Sequence, residues 1–259
     1  MDSRYEYKYL VPNTLIDKLR TELSPYMELD NFAKRHGDGQ YTVRSIYYDT
    51  PQFTCYNEKL DGVKIRNKYR IRGYDKCSKK SITFLEIKHK NTNCISKIRV
   101  PIYYTDVAKT LASGRIDDFV LSFSGNGAEK KDARKFLYYY YIKNLRPVVL
   151  VIYDREAFIG KMDPSLRLTF DKNLRSVIFP DLEQLYNEDK VKSTLTNHFI
   201  LEIKFFGSLP NWIISLISKY GFNRQALSKY TMSLETHAEF KNKRVRRRNV
   251  IISRECCDV

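Results

Sequence analysis

The sequence predicts an α+β fold in which antiparallel strands curl into a barrel with a polar lumen and helices pack around the outside. Three observations lead there. Much of the chain alternates with period two, the side-chain spacing of a strand. Six or more of these runs carry charge on one face and apolar residues on the other. Among the 259 residues, Tyr (20) and Phe (14) are abundant, which favours strands, while Gly (10) and Pro (8) are too scarce for a collagenous or low-complexity chain.

In chain order, the first strand sets Arg4, Glu6 and Lys8 on one face and Tyr5, Tyr7 and Tyr9 on the other. Residues 12–23 read as a helix with Leu15, Ile16 and Leu19 on its apolar side. Residues 41–49 and 63–74 are strands, and 81–90 and 96–103 follow as strands around a turn at 91–93. Residues 105–112 form a short helix, 122–127 a loop, and 129–144 a charged and aromatic helix that stops before Pro147. Strands come next at 148–158, 166–171 and 197–206. Residues 210–219 are a helix closed by Gly221, and 229–240 a last helix. Residues 1–240 read as one domain and 241–259 as a basic tail expected to be mobile. Leu85-Glu86-Ile87-Lys88 recurs as Leu201-Glu202-Ile203-Lys204, a short echo that suggests two similar β-halves.

Composition narrows the partner. Hydrophobic residues make up 42%, enough for a sizeable core, and the net charge is +16, which points to a polyanion. The tail's six basic residues at 241–248 and the net −1 of 249–259 leave +11 on residues 1–240, so the folded body is itself basic. The five cysteines, Cys55, Cys77, Cys94, Cys256 and Cys257, are odd in number and lack CxxC spacing, which argues against a disulfide framework or a zinc site. No apolar run approaches the ~20 residues that span a bilayer, and the N-terminus lacks a signal-peptide stretch. A soluble, cytoplasmic chain is expected. No P-loop, dinucleotide fingerprint or HExxH motif occurs. His36, His89, His198 and His237 are scattered and read as surface or structural.

The charges share a parity. Lys64, Arg66, Lys68, Arg70 and Arg72 lie on one face of their strand; Glu86, Lys88 and Lys90, then Lys97 and Arg99, lie opposite apolar residues on theirs. Arg155, then Arg167, Thr169 and Asp171, then Glu202 and Lys204, repeat the pattern. One such strand would simply show its charged face to water. Six or more fit a closed barrel with a polar lumen. A lumen crowded with Arg and Lys repels itself when empty and makes sense when an anion fills it, and the planar guanidinium fork bonds phosphate oxygens bidentately.

Several landmarks occur in an order that resembles the triphosphate tunnel group, and within it the VTC-domain (vacuolar transporter chaperone) polyphosphate polymerases. They are Arg4-Tyr5-Glu6-Tyr7-Lys8-Tyr9, Ser45-Ile46-Tyr47-Tyr48-Asp49, Lys68-Tyr69-Arg70-Ile71-Arg72-Gly73-Tyr74 and Phe84-Leu85-Glu86-Ile87-Lys88. Tyr153-Asp154-Arg155-Glu156-Ala157-Phe158, Leu166-Arg167-Leu168-Thr169-Phe170-Asp171, Leu201-Glu202-Ile203-Lys204 and Ser228-Lys229-Tyr230 complete the series. The resemblance implies an antiparallel eight-stranded β-barrel tunnel with peripheral helices. It implies that Lys8, Arg70, Arg72, Lys88, Arg155, Arg167 and Lys229 bind a triphosphate or polyphosphate chain. All of these but Lys8 would also act on the transferring phosphoryl group. Tyr153 would donate a hydrogen bond beside them, Lys97 and Ser228 would add phosphate contacts, and Glu202 would hold Mn²⁺ or Mg²⁺. Glu6 and Glu86 would orient the basic residues.

One position departs from the related CYTH triphosphatases and class IV adenylate cyclases, which open with ExExK. Arg4 stands where the first Glu would be, which favours the polymerase branch and a single metal. The chain also lacks the SPX domain and transmembrane helices of fungal members, so membrane or protein association would need a partner, with the basic tail as the candidate contact. The expected activity is transfer of the ATP γ-phosphate to inorganic polyphosphate with release of ADP. Phosphoryl transfer asks for positioning and charge neutralisation rather than covalent help, which suits a site without a catalytic His. The alternatives are a triphosphatase or polyphosphatase on the same fold and a non-catalytic polyphosphate-binding subunit. Nucleic acid, suggested by the pI of about 9.5 alone, is not expected as the partner.

Overall fold

The computed structural model describes residues 4–78, 80–92, 94–123 and 127–242, with the backbone alone at 94 and 95. The expected tail from 243 onward, the centre of the 122–127 loop and Asn93 of the 91–93 turn lie outside the described residues.

Period-two alternation produces strands where it was expected. β1 (Arg4–Pro12) ends at Pro12, which has no N–H to give the ladder, and leads through a 3₁₀ turn into α1 (Ile16–Leu23). β2 (Met27–Leu29) and β3 (Tyr41–Asp49) follow, then α2 (Thr54–Leu60), β4 (Ile65–Tyr74), β5 (Ile82–Asn91), β6 (Cys94–Tyr103) and α3 (Tyr104–Ser113). α4 (Ala128–Ile142), β7 (Arg146–Gly160), β8 (Arg167–Ile178), β9 (Lys192–Ser193) and β10 (His198–Phe206) come next, and α5 (Asn211–Lys219) and α6 (Lys229–Glu235) close the series.

The α+β class with peripheral helices holds, while strand number and closure differ from expectation. The sheet is ten-stranded and antiparallel, in the order β1-β10-β8-β7-β3-β4-β5-β6, with β2 added on β7 and β9 on β8. Among the described residues no ladder joins the outer strands β1 and β6, so the eight-strand path is curled but not closed by hydrogen bonds. Its two edges carry Arg4 and Lys8 on one side and Lys97 and Arg99 on the other, all lining one cavity. A side-chain bridge spans the gap instead, Lys88 Nζ to Glu6 Oε2 at 3.0 Å.

The apolar faces point outward. Ile71, Leu85, Ile87 and Val100 of β4, β5 and β6 share one core with Phe136 and Leu137 of α4. Val11, Leu168, Phe170, Leu201 and Ile203 pack under Leu19 and Leu23 of α1 and Ile213 and Leu216 of α5. The core therefore lies between sheet and helices, and the charged faces are left to line the inside.

Three boundaries differ for physical reasons. β8 runs to Ile178 rather than to Asp171: its register against β7 shifts between Ile152 and Asp154, and Asn173 takes φ +51°. That bulge resets the faces, so period two breaks while the strand continues. α2 has no strong helical pattern of its own; the buried Asp49 carboxylate anchors it, accepting from the N–H groups of Cys55 at 2.9 Å and Tyr56 at 3.0 Å. The expected 229–240 helix stops at Glu235 and resumes at 238.

Candidate polyanion site

Inside the curled sheet lies a cavity of about 590 Å³. Twelve basic side chains line it against three carboxylates, Glu6, Asp30 and Glu202. β4 contributes Lys68, Arg70 and Arg72 from alternate positions; β5, β6, β7, β8 and β10 contribute Lys88, then Lys97 and Arg99, then Arg155, then Arg167, then Glu202 and Lys204. β1 adds Arg4, Glu6 and Lys8, and the first turn of α6 adds Lys229 and Tyr230.

Buried carboxylates hold these cations in place. Glu86, fully buried in β5, meets Lys97 at 2.5 Å, Arg70 at 2.6 Å, Arg99 at 3.5 Å and Arg72 at 3.8 Å. Asp171, equally buried in β8, takes a bidentate bond from Arg155 at 2.6 and 2.7 Å and faces Lys229 at 2.5 Å. Glu202 accepts from Lys229 and Lys204, each at 2.7 Å, with Lys8 at 3.4 Å. Glu6 meets Lys8 and Lys88, each at 3.0 Å. Burial alone would raise these carboxyl pKa values. The cations outweigh it: Arg70, Arg72 and Lys97 hold Glu86 below the usual range, and Lys204, Lys229 and Lys8 hold Glu202 well below it. Burial, helped by Arg70 and Arg72, lowers Lys97 to about 7 against the opposing pull of Glu86.

Hydroxyl groups fix the guanidinium planes. Tyr47 Oη accepts from Arg70 at 2.9 Å, Ser45 Oγ from Arg72 Nε at 3.0 Å, and Tyr153 Oη from Arg72 Nη2 at 3.4 Å. The Tyr153 ring lies beneath Lys229, 4.8 Å from its centroid, and Arg155, at 5.2 Å. The rim away from α6 is aromatic: Phe32 packs on Tyr41 at 4.6 Å, Tyr74 on Phe84 at 6.1 Å, and Arg99 stacks over Phe84 at 3.6 Å.

All the residues singled out in the sequence line this one cavity: Lys8, Arg70, Arg72, Lys88, Lys97, Tyr153, Arg155, Arg167, Glu202, Ser228 and Lys229. Arg167 sits at the rim, half exposed, and donates to Asp30 at 2.9 Å. Ser228 is the N-cap of α6 and accepts from Lys68 Nζ at 2.7 Å. Sequence reasoning did not select Arg4, Lys68, Arg99, Lys204 or Asp171 as site residues. Each shares the parity of a chosen neighbour, so the signal was present. Asp30 and Tyr230 come from a loop and a helix and gave none.

A divalent metal finds a limited donor set. Among the described residues no group of three or more His, Cys, Asp or Glu is arranged to hold a metal ion, and both Glu202 oxygens face ammonium groups. The side chains make no closed metal cage. A divalent ion on Glu202 would take the rest of its ligands from phosphate oxygens and water and would have to displace Lys204 or Lys229 from the carboxylate.

The curled sheet turns a basic ring on buried carboxylate posts toward its lumen, an arrangement whose charge suits a polyanion. The VTC-domain model matches residues 3–237, nearly the whole described chain, and the protein belongs to the VTC-domain family. Membership points to polyphosphate metabolism. No curated protein is similar enough in sequence to match the chain. Among the described residues no helix is long and apolar enough to cross a membrane.

Proposed function

We propose that this protein is a polyphosphate polymerase that transfers the γ-phosphate of ATP to a growing inorganic polyphosphate chain and releases ADP. The observation that carries this reading is the convergence of twelve basic side chains on one cavity, most of them already fixed by buried carboxylates. Cations held in place at the start need no reorganisation when phosphate charge shifts during transfer. A terminal oxygen of the acceptor chain attacks the γ-phosphorus in line, the bond to the β-phosphate bridging oxygen breaks, and ADP leaves. The acceptor oxygen is already anionic, so no base is needed. Arg70, Arg72, Lys88, Arg155, Arg167 and Lys229 surround the transferring group, and Lys8, Lys97, Tyr153 and Ser228 contact the rest of the phosphate chain. Mn²⁺ or Mg²⁺ on Glu202 would supply further charge neutralisation at the phosphate oxygens. The aromatic rim of Phe32, Tyr41, Tyr74 and Phe84 offers stacking surface for a nucleoside.

The test is one incubation of purified protein with ATP and Mn²⁺, run on a gel with a polyphosphate stain beside an orthophosphate assay. A stained ladder that a polyphosphatase removes supports polymerase activity. Orthophosphate without a ladder moves the protein to the triphosphatase or polyphosphatase reading. Silence in both, with tripolyphosphate still bound, leaves a binding subunit.

A further inference from the structure

The basic rows of the lumen continue past the cavity. The β4–β5 register sets Lys68 opposite Lys88 and Arg66 opposite Lys90, two like-charge pairs in succession, whereas the next pair inward is Arg70 opposite Glu86. β6 adds Lys97 opposite Lys88. Like charges facing across a ladder weaken it, so this end of the sheet is built against its own electrostatics. Lys59 lies on α2, which packs against β4. Burial first lowers the proton affinity of Lys59, Lys68 and Lys90, and neighbouring cations, Lys8 and Lys88 at Lys68 and Arg66 at all three, lower it with burial.

The carboxylates that act electrostatically on this group are Glu6, on Lys88 and Lys90, Glu235, on Lys59, and Glu58, which interacts with Arg66. Among the described residues none of them forms an ion pair with Lys59, Arg66, Lys68 or Lys90. Among the described residues Lys68 bonds the Ser228 hydroxyl alone, and it lies 5.5 Å over the Tyr230 ring. The cations around Glu86, Asp171 and Glu202 each have a carboxylate within ion-pair distance; among the described residues these four have none.

We propose that Lys59, Arg66 and Lys90, continuing from Lys68 at the cavity's end, form an outer subsite for linear inorganic polyphosphate, binding phosphates of the chain beyond those held at Arg70 and Arg72. The proposal deepens the reading of the cavity as a phosphate-chain site and rests on it. From Arg72 to Arg66 the β4 wall spans roughly 20 Å, at about 3.3 Å per residue. A short anion seated at Arg70 and Arg72 leaves the outer group empty, and a long chain reaches it. The cations stand side by side on the adjacent strands β4 and β5, a row that suits the closely spaced charges of an unbranched polyanion.

The test compares the full wild-type chain with the triple variant Lys59→Ala, Arg66→Ala, Lys90→Ala. Binding of long-chain sodium polyphosphate and of tripolyphosphate is measured at several salt concentrations, without ATP or metal. The variant should bind the long chain roughly tenfold or more weakly, with a shallower salt dependence, and tripolyphosphate within about twofold of wild type. Equal weakening of both ligands, or of neither, overturns the proposal. Single-stranded DNA weakened by the same factor as long polyphosphate overturns it too, because the surface is then a general polyanion patch. Removing like charges should leave the melting temperature equal or higher. If the triple variant melts lower, Lys90→Gln alone carries the same comparison. A chain that makes no polymer yet shows the length-selective loss keeps the subsite and loses the polymerase reading. A polymerase whose variant binds long chains normally does the reverse.

Discussion

Glu86→Gln isolates the role of the buried carboxylates. Glutamine keeps the shape and removes the charge on which Lys97, Arg70, Arg99 and Arg72 converge. Breaking a buried ion pair costs about 3–5 kcal/mol. Arg70 is the close partner that is itself mostly buried, whereas the Lys97 and Arg99 side chains are 35% and 38% exposed. Exposed pairs contribute only about 0–1 kcal/mol, so the low end, about 3 kcal/mol, applies. For a chain of this size that lowers Tm by about 6–12 °C. Glu86 has a folded pKa below its ordinary 4.5, so its contribution is complete above that value and is lost as pH falls toward the folded one. The assay is thermal unfolding of both proteins with and without tripolyphosphate. The ligand replaces the missing counter-charge, so its stabilising shift should be larger in the variant. A variant that melts with wild type in the absence of ligand refutes Glu86 as the counter-ion. Equal ligand shifts refute the idea that substrate and Glu86 share the same cations.

Other perturbations separate binding from turnover. Arg70→Ala removes a charged donor from the centre of the ring and should weaken tripolyphosphate by at least about 10-fold in calorimetry; wild-type affinity would place the anion elsewhere. Glu202→Gln should retain metal-free tripolyphosphate binding while losing metal-dependent polymer synthesis, and full synthesis would remove Glu202 as the metal ligand. Lys97, lowered to about 7 by burial and the neighbouring arginines, gains its proton as pH falls through that value. Lys97→Arg stays charged throughout. The ratio of wild-type to Lys97→Arg tripolyphosphate affinity should therefore rise as pH is lowered through about 7. A pH-independent ratio refutes this.

The site was more legible than the outline of the fold. Parity alone put Arg70, Arg72, Lys88, Arg155 and Glu202 on lumen faces, because a strand's side-chain period is fixed at two and each run was long enough to show it. The Leu-Glu-Ile-Lys echo also has a structural counterpart: Glu86 and Glu202 occupy matching roles as buried posts among cations. What depended on tertiary partners was hidden. α2 exists because Asp49, several residues upstream, accepts its first N–H groups, and no pattern within 54–60 announces that. The full length of β8 was masked by the bulge at Asn173, and sheet closure depends on how two edge strands meet, which neither strand's own sequence records.

The carboxylates also explain how an empty cavity tolerates its charge. A ring of mobile lysines would swing toward solvent and have to be gathered again for each substrate. Here Glu86, Asp171, Glu202 and Glu6 each hold two or more cations at contact distance, so the ring is assembled in advance. The carboxylates leave an excess of positive charge that only an incoming anion removes. Cations without a carboxylate partner lie where the posts run out, at Lys68 and the rows beyond it, while those of the ring share Glu86, Asp171, Glu202 and Glu6. A triphosphate is thus met by rigid, partly neutralised groups that position it, and a longer chain is drawn toward the end where unpaired cations remain. Position and pull are supplied by different residues, and so single substitutions in the two regions should affect short and long phosphate ligands differently.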